Sequence, residues 1–242
     1  MSDQPQIDSF FERDLEAIQA RIMKMGGMVE RAIADAACSL DTRDEELAED
    51  VRLRDAAIDQ LEATITEEAT RIIARRAPAA GDLRLVLTVI KISANLERIG
   101  DYAKNMAKRT SVLTDMTPVD GATAALRRMA REVEGMLKDV LDAYIQRDAD
   151  LAQAVIDRDR DVDQMYNAIF REFLTFMMED PRNITPCMHL HFIAKNTERM
   201  GDLVTSVAEQ VVYLVSGKRP GQQRPKDDRT STDPAISRQI QA

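Results

Sequence analysis

The chain has 242 residues, a formal net charge of −9, a pI near 4.9, 4% aromatic residues and no Trp. Phosphate backbones want a basic face, so the acidic balance argues against nucleic acid as a main partner. Cys38 and Cys187 stand far apart, which excludes a Cys-x-x-Cys zinc site. They read instead as small buried residues of a reducing compartment. No apolar run reaches about 18 residues, so no membrane insertion is expected. The polar N-terminus does not read as a signal peptide, and the cytoplasm is the expected location.

The apolar residues recur at 3–4 spacing, the pattern of helices with one buried stripe, and an all-α fold follows. The first helix carries Phe11, Leu15, Ile18, Ile22 and Met25. The second carries Leu47, Val51, Ile58, Leu61, Ile65 and Ile72, and the third Leu85, Val89, Ile92, Leu96, Ile99, Ala103 and Met106. A second trio repeats this. Met129, Val133, Met136 and Val140 come first, then Leu151, Val155, Val162, Met165, Ile169, Phe173 and Phe176. Ile193, Met200, Val204, Val207, Val211 and Leu214 come last. Pro78 with Gly81-Asp82 closes one hairpin and Asp180-Pro181 the other. Thr117-Pro118 reads as a helix start, with Thr capping and Pro in the first turn. From Gly217 onward the composition is that of a disordered tail.

The two trios are copies. Residues 43–60 and 147–164 agree at nine of 18 positions, at a constant offset of 104. The stretch from Asn95 to Asp101 is echoed by Asn196 to Asp202 at an offset of 101. Two echoes in one order indicate a duplicated unit of about 100 residues. The expected organisation is a three-helix bundle over 8–114, a second over 118–216, and the tail over 217–242.

Each copy carries carboxylates in pairs spaced i, i+4. These are Asp55 with Asp59, Glu97 with Asp101, Asp159 with Asp163, and Glu198 with Asp202. Like charges at that spacing destabilise a helix by about 0.2–0.5 kcal/mol per pair, yet the sequence adopts it four times. Asp59 and Glu97 are both 19 residues from position 78, and Asp55 and Asp101 both 23. An antiparallel hairpin therefore brings four carboxylates to one height, on the solvent-facing rim of the helix seam. The second copy does the same about 180.5. Oxygen-only sites suit hard or borderline cations such as Fe, Mn or Mg. Gly100 and Gly201 each precede the last carboxylate of their motif. A glycine inside a helix costs about 1 kcal/mol against Ala, so either a ligand or a neighbouring helix approaches closely there. Arg98 and Arg199 are expected to salt-bridge to the acids or bind an anion, with pairing preferred. His189 and His191 lack the Glu-x-x-His context of di-iron oxidase bundles. No nucleophilic triad, phosphate loop or zinc-protease motif is visible, so no enzyme is expected.

The tandem repeat, the stretch Glu97-Arg98-Ile99-Gly100-Asp101-Tyr102-Ala103-Lys104-Asn105, its partner Glu198-Arg199-Met200-Gly201-Asp202 and the two Asp-x-x-x-Asp stretches together resemble the PhoU family. The resemblance spans about residues 8–216. It implies a dimeric, cytoplasmic, all-helical negative regulator of phosphate uptake and of the phosphate-starvation response. It also implies contact with the ATPase of the phosphate transporter (PstB) and with the sensor histidine kinase PhoR. It further implies divalent or trivalent metal ions (Fe, Mn, Mg or Zn) on Asp55, Asp59, Glu97, Asp101, Asp159, Asp163, Glu198 and Asp202. Asn105 is matched by Ser206 in the second copy, a departure that implies two unequal metal faces. Two readings compete: a metal-binding or storage bundle with no phosphate role, and a purely structural coiled-coil protein.

Overall fold

The computed structural model describes residues 4–76, 78 and 80–220. The Phe11 side chain and the tail beyond 220 lie outside the described residues. The described residues form six α-helices: α1 (Gln4–Thr42), α2 (Glu45–Arg76), α3 (Ala80–Thr114), α4 (Ala122–Gln146), α5 (Ala149–Glu179) and α6 (Ile184–Ser216). A 3₁₀ turn, Pro181–Asn183, joins α5 to α6. The hairpin breaks fall where the sequence puts them, at Pro78 and Asp180-Pro181.

Within each trio every helix touches the other two, and the trios meet through α1 against α4 and α3 against α6. The four helices α1, α4, α6 and α3 thus form a closed square. Helix α2 lies outside the α1/α3 edge and α5 outside the α4/α6 edge, and these two do not touch each other. The core runs through the square: Ile22, Met25, Ile92, Leu96, Met129, Met136, Ile193 and Val204 are all fully buried. The predicted stripes are therefore the packing faces. The α1 stripe continues unbroken past Gly26-Gly27 to Val29, Ile33 and Leu40. Gly26 is there for α4, since a Cβ on it would collide with Leu141 Cδ1.

The repeated Arg-Asp pair that opens each 18-residue copy is a helix junction. Arg43 and Arg147 sit at φ 57° and 56°, left-handed conformations that end the preceding helix. The next residue starts the following one. Asp44 Oδ1 accepts from Leu47 N, and Asp148 Oδ1 accepts from Asp150 N and Leu151 N, all at 2.9 Å. Arg43 also donates to the carbonyls of Leu113, Thr114 and Met116 at 2.6–2.8 Å, satisfying acceptors at the end of α3. Identical junctions set an identical register for α2 and α5, and so for their carboxylates.

Two expectations are corrected. Thr117-Pro118 does not start α4, which begins at Ala122 behind Gly121 at φ 79°. A left-handed residue cannot belong to the helix, so the first turn forms after it and Pro118 lies in the extended link. Cys38 is exposed, on the outer side of α1, while Cys187 is buried. Alanine-rich neighbours gave no periodic signal that separated the two.

Candidate functional site

Asp55 and Asp159 occupy equivalent places on α2 and α5, and each lies beside the motif glycine of the neighbouring third helix. A Cβ on Gly100 would meet Ile58 Cδ1 at 3.1 Å and Asp55 Oδ1 at 3.6 Å. A Cβ on Gly201 would meet Val162 Cγ1 at 3.2 Å and Asp159 Oδ1 at 3.8 Å. Close helix packing is thus what the glycines permit, and the incoming helix delivers a carboxylate against the backbone.

That closeness changes the burial expected from the sequence. The acids do not all line a solvent-facing rim. Asp55, Asp159, Asp163 and Glu198 are only 3%, 6%, 5% and 5% exposed. Asp59 is exposed, while Glu97, Asp101 and Asp202 are half-buried. In the first copy the four acids share one neighbourhood. Burial pushes the Asp55 carboxyl up, and nearby Asp59 and Asp101 add to the rise against the lowering effect of Lys104. Burial also raises Glu97, helped by Asp101, Asp59, Glu62 and Asp55. Each ionised group therefore resists ionisation of the next.

Lysines answer this charge. Lys104, on α3, bonds Asp55 Oδ2 and, at 3.2 Å, Asp101 Oδ1. Its ammonium is pushed up to about 12, chiefly by the hydrogen bond to Asp55. In the second copy the position of Lys104 is Thr205, and the cation enters from elsewhere. Lys195, which replaces Ala94 of the first copy, bonds Glu198 Oε1 at 2.9 Å and lies over the Tyr166 ring at 4.8 Å. Neither lysine was assigned a role from the sequence. The available signal was the i, i+3 spacing to Asp101 and Glu198, which also marks ordinary surface pairs.

Arg98 and Arg199 point to solvent and form no ion pair with the acids among the described residues. Asn105 is exposed, and its counterpart Ser206 donates to Asp202 O at 3.0 Å. A different arginine pair braces each bundle. Arg54 bonds Asp35 of α1 at 2.7 Å. Its repeat partner Arg158 bonds Glu132 at 2.7 Å and also Asp139, both of α4.

The donor set fits a hard cation in element and charge, and Asp55 Oδ1 is buried with no hydrogen-bond partner. Among the described residues, however, no three acidic, His or Cys side chains converge on one point. Lysine ammonium groups hold the positive charge in both copies. A metal on the first face would rest on Asp55, Asp59, Glu97 and Asp101, with Lys104 turned away. It would supply fixed positive charge that ties α2 to α3. His191 lies apart from the acids, against Tyr166 and Phe170, and burial followed by Lys195 lowers its pKa.

The sequence profile described as "PhoU domain" matches residues 22–110 and again 126–211. The chain belongs to the PhoU family. The two matched segments coincide with the two helix trios, so the fold holds two PhoU domains in tandem. A protein of Caulobacter vibrioides named "Phosphate-specific transport system accessory protein PhoU homolog" is 45% identical over 218 residues, covering 90% of this chain and 95% of the relative. A Rhizobium meliloti protein of the same name is 43% identical over 226 residues, covering 93% and 95%. Among solved structures, PhoU from Pseudomonas aeruginosa superposes with a TM-score of 0.84 at 40% identity, over 86% of this chain and all of that one. The phosphate transport system regulatory protein PhoU from Streptococcus pneumoniae gives 0.80 at 26% identity, over 87% and 99%.

Proposed function

We propose that this PhoU-family chain is a regulatory accessory of phosphate transport that holds phosphate-starvation signalling off while phosphate is plentiful. The observation that carries the reading is the likeness, along nearly their whole length, to relatives named for the phosphate-specific transport system. In this reading the protein acts in the cytoplasm, as a homodimer, by contact with a PstB-type transporter ATPase and a PhoR-type sensor histidine kinase. No described helix is long and apolar enough to cross a membrane. A regulator of this kind works by binding two states of its partner unequally. Metal ions at the two carboxylate faces brace each hairpin in the competent shape, because a site shared by two helices ties them together.

The test is a deletion strain carrying a starvation-responsive reporter, grown in high phosphate. The reporter should switch on in the deletion strain and be silenced again by the wild-type gene. Normal silence in the deletion strain refutes the reading. Rescue by a Glu97→Ala/Asp101→Ala/Glu198→Ala/Asp202→Ala variant leaves the regulator in place and removes the metal faces from its mechanism.

A further inference from the structure

A groove of about 370 Å³ opens between α1 and α2 of the first bundle, within the range of small-ligand sites, about 300–1,000 Å³. Its walls are apolar, Met28 and Ala32 on one side and Val51 and Ile58 on the other. It reaches down to Gly100 of α3, against which Ile58 and Asp55 pack. Asp55 lines that depth, 3% exposed, with Oδ1 buried and lacking a hydrogen-bond partner. At the mouth stand Lys24 and Arg31, both exposed and without an ion-pair partner among the described residues. Gly27 between them leaves open space where a side chain would project.

In the second bundle an arginine crosses the matching space. At the offset of 104, Met28 becomes Glu132, Arg31 becomes Gly135 and Ala32 becomes Met136. Glu132 draws Arg158 across the gap, and the Arg158 Nη2 lies 3.3 Å from where a Gly135 Cβ would be. In the first bundle Arg54 has Met28 in place of that acid; it keeps the bond to Asp35 that Arg158 makes to Asp139, and adds Asp50. Seven of the eleven lining residues differ between the copies, Gly27 becoming Arg131 among them, while Val51, Arg54, Asp55 and Gly100 keep their counterparts.

We infer that this groove is a binding site for a nucleoside phosphate whose base carries an amino group. The ring lies between the Met28 and Val51/Ile58 walls, the amino group donates to Asp55 Oδ1, and the phosphate meets Lys24 and Arg31. Charge alone does not select this ligand. The apolar walls call for a flat body, and the buried carboxylate oxygen calls for a donor, since leaving it unmet is costly. Asp55 Oδ2 faces Lys104, so an occupant touches the same carboxylate that belongs to the first acidic face.

The test is calorimetric titration of the full chain with AMP, adenosine and inorganic phosphate. AMP should bind saturably, and adenosine and phosphate each more weakly by about tenfold or more, the scale of one lost charged or buried contact. Lys24→Ala/Arg31→Ala should weaken AMP by a similar factor without affecting adenosine. Met28→Glu should pin Arg54, which already lines the groove, across it, as Glu132 holds Arg158, and abolish binding. Ala57→Leu, at an exposed position of the mouth, blocks entry without altering charge and stands in should Met28→Glu fail to fold. No saturation by AMP at several millimolar, a phosphate affinity equal to that of AMP, or AMP binding untouched by a folded blocking variant each overturns the assignment.

Discussion

Replacing Lys104 with Met should lower the stability of the metal-free protein and sharpen its response to metal. The climb of the ammonium from 10.5 to about 12 corresponds, at 1.36 kcal/mol per pH unit, to about 2 kcal/mol. The Lys104 side chain is 38% exposed, so solvent screening reduces this to about 1 kcal/mol. A lysine with a raised folded pKa contributes this in full at neutral pH and loses it only as pH climbs through the folded value, so ordinary buffers report it completely. Seen from Asp55, whose side chain is 4% exposed, losing that same partner costs about 1–3 kcal/mol. The two views of one contact agree on about 1–2 kcal/mol after partial relief by protonation of Asp55. For a chain of this size that is a fall in Tm of about 2–8 °C by scanning calorimetry in EDTA. The deficit should shrink toward pH 5, since burial already holds the Asp55 carboxyl high and the variant protonates it first. With Mn²⁺ added, the metal no longer has to displace an ammonium, so the variant should gain more Tm than the wild type at equal Mn²⁺. An apo Tm within a degree of wild type, or an Mn²⁺ gain no larger than that of wild type, refutes the argument that lysine and metal compete for these oxygens.

Glu97→Ala with Asp101→Ala should strip the metal held on the first face, read by elemental analysis of untagged protein; full retention would place that metal elsewhere. Gly26→Ala should cost about 1–2 kcal/mol in urea melts, because overpacking against Leu141 at about 1–3 kcal/mol outweighs about 1 kcal/mol of helix gain. Added to Leu141→Ala, it should cost less than it does alone, since the new methyl enters the space left by the side chain, and strict additivity would contradict that contact. Wild-type stability should fall as pH drops below 6.5, because the unfolded chain takes up a proton that buried His191 resists, and His191→Phe should flatten that slope between pH 6.5 and 5 in thermal melts. An unchanged slope would mean other groups set it.

The six helices, their hairpins and their inward faces were legible because period-3.6 patterning is a direct record of burial. The pairing of Asp55 with Asp101 across the first hairpin was legible because antiparallel helices conserve distance from the turn. Burial of the acids was not. Asp59 and Asp163 are the same residue in the same motif, yet one is exposed and the other is not. The difference is one of local packing between the two copies, which the shared motif does not encode. Lys104 and Lys195 escaped notice because a lysine three residues from an acid is commonplace on any helix. The α4 start escaped because Thr-Pro is a sound helix opening when no glycine follows, and Gly121 follows.

The closed square of α1, α4, α6 and α3 pairs each helix with its own copy, α1 with α4 and α3 with α6. An isolated trio would leave the inner faces of its first and third helices uncovered, and a second identical trio would cover them about a twofold axis. Two repeated units on one chain thus cover each other's inner faces. Units carried on one chain need not be identical. One copy places its cation at position 104 and the other at 195, and one keeps a groove whose counterpart an arginine crosses in the other. Division of labour between two unlike faces is open to a pair on one chain and denied to a homodimer of single trios.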